Sequence, residues 1–217
     1  MILLIILLSA NTDSLVKHYL DIGQLDMAEQ SCSLGCDTFF LAELAYFNYR
    51  FGQAVEYYNK VPAESKYSND ALYRLMLIKN NEVQPQDEKI LQAYTTAELL
   101  CRRGSTSSEE SEHGIQGLKK LIAQDSTTKN TIATWSYLLL IEVLRKTSKF
   151  DEAIKECKSF ITYFPDDDKL PQVKLKLGKI YATMGNREKA KEIYKEIILH
   201  HSTSSVAHIA REELDNL

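Results

Sequence analysis

The sequence PQVKLKLGKIYATMGNREKAKEIYKEII, residues 171–198, contains two amphipathic segments with a glycine between them. In the first segment, apolar residues recur every three or four positions from Val173 to Tyr181. The second segment has the same spacing from Ile193 to Ile198, and Gly185 separates the two. This periodicity is typical of helices that bury one face. The stretch therefore predicts two helices that pack as an antiparallel hairpin.

Small and aromatic residues of this hairpin recur at matching spacings elsewhere in the chain. Gly178 and Ala190 are twelve residues apart, and so are Ala153 and Pro165. We expect a small residue where two helices approach most closely, with a large ring on the facing helix to fill the space beside it. The repeated set is Tyr19, Gly23, Ala28, Ala54, Tyr58, Ala153, Pro165, Leu177, Gly178, Tyr181, Gly185, Ala190 and Tyr194.

The run Leu177-Gly178-x-x-Tyr181, followed by Ala190-x-x-x-Tyr194, resembles the tetratricopeptide repeat (TPR). The resemblance is clear over residues 134–217, fair over 11–62 and weak over 63–130. It implies an all-α superhelix, a TPR-like solenoid of about six antiparallel hairpins with a C-terminal capping helix. A generic helical bundle is the alternative fold. The long linker 166–171 is similar to that of bacterial envelope members of the family, namely outer-membrane assembly lipoproteins and periplasmic cell-division coordinators.

Periodicity over the whole chain predicts only helices. Gly104 to Glu112 is polar and predicts a surface loop, and Ser204 is predicted to cap the last helix. Gly114 predicts that segment 109–124 pairs with 87–103, which leaves 69–80 without a partner. The predicted regions are a possible signal segment over 1–10, N-terminal TPR-like hairpins over 11–62, divergent helical hairpins over 63–130, and C-terminal TPR repeats with a capping helix over 131–217. The predicted helices lie near 12–22, 24–34, 37–50, 52–61, 69–80, 87–103, 109–124, 130–147, 150–163, 170–184, 187–201 and 204–216.

Composition and motifs favour a non-enzymatic protein. The chain has 26 basic and 30 acidic residues, so it lacks the basic excess typical of nucleic-acid binding. No phosphate-binding loop, nucleophile elbow or HExxH motif occurs, and we predict no cofactor or catalytic residue. His200, His201 and His208 have no carboxylate at ligand spacing, so we predict no metal site. The oligomeric state is left open.

The N-terminus and the cysteines bear on cellular location. Ile2 to Leu8 is an apolar run too short to span a membrane, and it fits a secretory signal cleaved after Ser9-Ala10. The alternative is that this segment is part of the fold of a cytoplasmic scaffold. Cys32 and Cys36 are either incidental thiols or, in an exported chain, a disulfide.

The resemblance also implies an interaction surface. In this family the first helix of each repeat lines a concave face that binds a partner protein or an extended peptide. Trp135 has two interpretations, a binding anchor in that groove or a ring packed between repeats. The candidate groove residues are Trp135, Leu138, Glu142, Arg145, Gln172, Leu175, Lys179 and Ala182.

Overall fold

The computed structural model describes residues 2–33, 35–81, 85–104, 108–124, 131–202 and 204–217, and the side chains of 2–11, 85–87 and 131 lie outside this description. Within these ranges every regular element is an α-helix, which confirms the predicted fold class. The helices are α1 (Ile2–Asp21), α2 (Leu25–Cys32), α3 (Thr38–Phe47), α4 (Phe51–Tyr58), α5 (Ser68–Lys79), α6 (Pro85–Arg103), α7 (Ser108–Gln124), α8 (Thr131–Lys146), α9 (Phe150–Tyr163), α10 (Leu170–Thr183), α11 (Arg187–His200) and α12 (Ser205–Asp215).

One predicted helix start was wrong, and one predicted loop was too long. Helix α1 begins at Ile2 rather than near residue 12, so the backbone of the predicted signal segment is helical from Ile2, and the side chains of 2–11 lie outside the described residues. Helix α7 begins at Ser108, so the last five residues of the predicted polar loop are helical. Glu109 and Glu110 lie in the first turn of α7, where acidic side chains interact favourably with the helix dipole. Residues 105–107 of that loop lie outside the described residues.

The chain forms two compact units, residues 1–132 and 133–217. In the N-terminal unit α1 packs on α2, α3 on α4, and α6 on α7. Gly114 is where α7 meets α6, because a Cβ there would lie 2.5 Å from Cys101 Sγ. This contact confirms the predicted pairing of these two helices. Helix α5 packs against α4, outside those three pairs.

Helix α6 also returns to the start of the N-terminal unit. Helices α1, α3 and α6 all contact one another. Arg102 Nη1 donates to the Leu20 carbonyl at 3.2 Å, and Arg103 Nε donates to the Gly23 carbonyl at 3.0 Å. In an open stack of hairpins each pair would touch only its neighbours. The N-terminal unit is therefore closed on itself.

The C-terminal unit is a simple succession of helices. Tyr137 of α8 packs edge-on against Phe160 of α9, with ring centroids 5.7 Å apart. Helix α10 packs on α11, where a Cβ at Gly178 would overlap the Tyr194 ring. Helix α12 covers α10 and α11, and Ser204 Oγ accepts a hydrogen bond from the Ala207 amide at 3.1 Å, as expected of an N-cap.

The first helix ends with the same turn geometry in four hairpins, namely α1–α2, α3–α4, α8–α9 and α10–α11. In each, the residue after the turn donates its amide to a carbonyl five positions back, at 2.8 Å, which is the pattern of a Schellman helix end. The residue before that donor has positive φ, namely 71° at Gly23, 59° at Tyr49, 58° at Ser148 and 77° at Gly185. A buried alanine follows each turn at the same distance. These alanines are Ala28, Ala54, Ala153 and Ala190, all 0% exposed.

Candidate interaction face

Helices α8, α10 and α12 of the C-terminal unit carry partly exposed charges that pair with one another. Glu142 of α8 accepts from Arg145 Nη2 at 2.7 Å and from Lys176 Nζ of α10 at 2.7 Å. Lys179 of α10 pairs with Glu213 of α12 at 2.8 Å. Their side chains are about one-quarter to one-third exposed. We call the surface formed by Glu142, Arg145, Lys176, Lys179 and Glu213 the α8–α10–α12 face.

The electrostatics of this face centre on Glu142. Burial by itself raises the pKa of this carboxyl, but hydrogen bonds from Arg145 and Lys176 outweigh burial and lower the pKa to about 2. The bond to Glu142 in turn raises the pKa of Arg145. Glu142 therefore stays ionised at neutral pH and holds two cations. The face carries three cations and two carboxylates.

The predicted groove residues divide into two groups. Glu142, Arg145 and Lys179 belong to the α8–α10–α12 face. Gln172 is exposed and Leu175 is half-buried, and both lie on the same side of α10 as Lys179. Ala182, one turn beyond Lys179, is half-buried. These residues are accessible to a ligand.

Trp135 and Leu138 are not accessible. They are 2% and 4% exposed, so neither offers a side chain to a ligand in a groove. Lys169 Nζ lies 4.9 Å from the centre of a Trp135 ring and 2.7 Å from Asp168 Oδ1. The linker before α10 thus contacts the tryptophan ring through Lys169. The structure places Trp135 in the interior, where the packing interpretation puts it, and this position corrects its inclusion among the groove residues.

Two members of the face were missed by the sequence analysis. Lys176 is one turn beyond Gln172, so the α10 pattern alone was a usable signal for it. Glu213 had no such signal, because its pairing with Lys179 depends on how α12 packs on α10. Most members of the repeated set lie at turns or in the core, and Tyr19 is half-buried in α1.

The N-terminal unit contains a different set of charges, which the sequence analysis also missed. Arg74 Nε lies 2.7 Å from Glu43 Oε1, and Arg74 Nη2 lies 2.7 Å from Glu98 Oε1. Arg102 Nη2 contacts Glu98 Oε1 at 2.9 Å. We call Glu43, Arg74, Glu98 and Arg102 the Arg74 cluster. The available signal was the single charge at Glu43 inside the apolar run FFLAELAYF.

Aromatic hydroxyls complete this cluster. Tyr58 donates to Glu43 Oε1 at 2.6 Å, and Tyr46 donates to Glu98 Oε2 at 3.2 Å. Burial raises the pKa of Glu98, but Arg74 and Arg102 outweigh burial and bring the pKa to about 2. Two carboxylates balance two guanidinium groups, and each carboxylate is already hydrogen-bonded. The Arg74 cluster is therefore organised to join α3, α5 and α6 rather than to receive a ligand.

The described residues offer neither a metal-binding cluster nor a membrane-spanning helix. In that part of the chain, no three His, Cys, Asp or Glu side chains gather in a way that could hold a metal ion. None of the helices in that part combines the length and apolarity needed to cross a bilayer.

Residues 171–199 match the family model for the tetratricopeptide repeat. The match covers α10 and α11 almost completely, and these are the helices that the sequence pattern identifies most clearly. No curated protein and no solved structure gives a significant match to this chain. The family match supports a protein-interaction scaffold as the general class of this molecule.

Proposed function

We propose that this protein is a non-enzymatic scaffold that binds an extended segment of a partner protein on the α8–α10–α12 face. The observation that carries the proposal is the set of partly exposed charges on α8, α10 and α12, beside the repeat match. Gln172 and Leu175 add a polar and an apolar contact next to those charges. A mixed surface of this kind suits a peptide backbone with varied side chains better than a small metabolite.

Site-specific crosslinking tests this proposal. A photoreactive amino acid is placed at Gln172 or at Leu175, and as a control at Lys191 or Lys195 on the exposed side of α11. We expect the two α10 positions to crosslink the same protein in native cells, and the α11 positions not to. The reverse charge at Lys179, in Lys179→Glu, should reduce that crosslink at least tenfold. Equal crosslinking from α10 and α11 would reject the face as the binding surface.

We propose the bacterial cell envelope as the location, with residues 1–10 as a cleaved signal. The apolar run Ile2 to Leu8 and the Cys32–Cys36 disulfide support it, because disulfides persist in oxidising compartments. The alternative is a cytoplasmic scaffold or adaptor that keeps this segment in its fold. The buried side chains described for α1 begin at Val16 and Leu20, which is compatible with either proposal.

Intact-mass measurement on protein from the native host separates the two locations. A mature chain beginning near Asn11 in the envelope fraction is the expected result. A chain that retains residues 1–10 in the cytosolic fraction would favour the alternative. The crosslinking experiment does not depend on this result, because the face lies in the C-terminal unit.

A further inference from the structure

A disulfide joins the first two hairpins of the N-terminal unit. Cys32 is the last residue of α2, and Cys36 directly precedes Asp37, the N-cap of α3. Their Cα atoms are 5.0 Å apart. The disulfide therefore bridges the two ends of the linker that connects the α1–α2 pair to the α3–α4 pair.

The two sulfur-bearing residues differ in accessibility. Cys36 is half-buried, whereas Cys32 is 7% exposed. The free thiol of Cys157 is fully buried, and Cys101 packs against α7 at Gly114. Burial raises the pKa of both free thiols to about 12, so they are poor nucleophiles. Cys36 is therefore the position at which an external thiolate reaches a sulfur atom.

The surroundings of Cys32 allow the bond to open without disrupting the core. Cys32 occupies the position in its hairpin that Cys157 occupies in the α8–α9 hairpin, four residues after the buried alanine. Cys157 is a free thiol there, so this position accepts a reduced cysteine. Cys32 also borders a cavity of about 240 Å³, together with Leu44, Ala45 and Tyr57. The freed thiol thus keeps both a buried site and room to move.

The bond acts on a connection that is otherwise lightly held. The Asp37 amide donates to Asp13 Oδ1 of α1 at 2.9 Å, and Asp37 Oδ1 accepts from the Phe39 amide at 2.8 Å. The two hairpins touch each other much less than the helices within each pair do. A disulfide that closes so short a loop restricts the unfolded chain little, so it adds little to the stability of the fold. Folding therefore makes this disulfide only slightly harder to reduce.

We propose that Cys32–Cys36 is an exchange-active disulfide that takes a dithiol as its co-substrate. One thiolate of the dithiol attacks Cys36 Sγ, the Cys32–Cys36 bond breaks, and Cys32 leaves as a thiolate that takes up a proton. The second thiol of the reductant then attacks the mixed disulfide and releases Cys36. The chain gains two electrons and two protons, and the dithiol becomes a disulfide. Reduction loosens the α2–α3 connection while each hairpin stays folded.

Thiol trapping on the full chain tests the exchange. The protein is equilibrated in native buffer with mixtures of reduced and oxidised dithiothreitol. Its free thiols are then trapped with a maleimide, and the intact mass is measured. We expect two added maleimides after reduction and none in fully oxidised buffer, with unchanged far-ultraviolet circular dichroism. Cys101→Ser should behave identically, whereas Cys36→Ser should show no redox-dependent change in labelling. Reduction that requires denaturant, or two labelled thiols in oxidised buffer, would overturn the proposal.

Hydrogen exchange on the wild-type chain tests the conformational part without any variant. The amides of Gly35 and Phe40 donate to the carbonyls of Cys32 and Asp37 at 2.9 Å each. Their exchange should accelerate about tenfold or more on reduction, while the amides of α10 and α11 keep their rates. Equal rates in the two redox states would reject the loosening of this connection.

Discussion

The Arg74 cluster of the N-terminal unit is largely buried, whereas the charges of the α8–α10–α12 face in the C-terminal unit stay partly in contact with water. Glu43, Arg74 and Glu98 are all less than 9% exposed as side chains, while Lys179 and Glu213 are 37% and 34% exposed. A buried charge has to be paired and hydrogen-bonded on every side, so it fixes the helices around it. A partly exposed pair can exchange its partner for a ligand at little cost.

This difference matches the packing of the two units. In the N-terminal unit α6 returns to α1, and the Arg74 cluster joins α3, α5 and α6. In the C-terminal unit α12 packs on α10, and partly exposed ion pairs link α8 to α10 and α10 to α12. The two units contain the same type of hairpin, but the N-terminal unit buries a charge cluster and closes on itself, whereas the C-terminal unit keeps its charges on an accessible face.

The largest expected effect comes from breaking the Arg74 cluster. Arg74→Met leaves two carboxylates buried without their main partner, and we expect a loss of about 3–5 kcal/mol in the free energy of unfolding. The matched change in the C-terminal unit, Lys179→Met, should cost no more than about 1 kcal/mol. Urea denaturation of both variants makes the comparison. Similar losses would mean that the two sets of charges do not differ in kind.

The same cluster predicts an acid limit for the N-terminal unit. The pKa of Glu98 is about 2 in the folded chain, below the value of about 4.3 for an unfolded glutamate. The contribution of ionised Glu98 to the free energy of unfolding is therefore complete above about pH 5 and is lost as the pH falls towards 2. We expect Glu98→Gln to remove about 2 kcal/mol of the acid-induced loss in stability. Urea melts at pH 5 and pH 2.5 measure this, and an unchanged difference in the variant would contradict it.

A smaller effect tests the hairpin contact itself. A Cβ at Gly178 would overlap the Tyr194 ring, so Gly178→Ala should destabilise the chain by about 1–3 kcal/mol. Gly52 of α4 is also helical, but a Cβ there would meet nothing within 4 Å. Gly52→Ala should stabilise the chain by about 0.5–1 kcal/mol. If denaturant melts gave both changes the same sign, the assigned contact between α10 and α11 would be incorrect.

The smallest expected effect concerns the type of turn that occurs in both units. Ser148 has a φ of 58°, which a residue with a Cβ adopts at a cost, so Ser148→Gly should stabilise the chain by about 0.5–1 kcal/mol. Gly185 has a φ of 77° in the equivalent turn, and Gly185→Ser should destabilise by about 1 kcal/mol. Thermal melts of both variants test whether the turns are equivalent. A fall in melting temperature with Ser148→Gly would show that they are not.

The helices were predictable because their apolar spacing is regular, and Gly114 even revealed the partner of α7. The orientation of α8 was not predictable in the same way. Its sequence TIATWSYLLLIEVLRK is apolar on nearly every side, so no stripe distinguishes a groove face from a buried one, and the sequence left both interpretations of Trp135 open. The Arg74 cluster was missed because it unites residues from three separate helices. Only the tertiary packing brings Glu43, Arg74 and Glu98 together.

The return of α6 to α1 has a consequence for the order in which this protein assembles. Arg102 and Leu20 are 82 residues apart in sequence, so the contact between α1 and α6 cannot form until most of the N-terminal unit has been synthesised. Contacts of such long separation slow folding, whereas stacked neighbours can add one at a time. We therefore expect the C-terminal unit to acquire protected amides first in refolding, although it leaves the ribosome after the N-terminal unit.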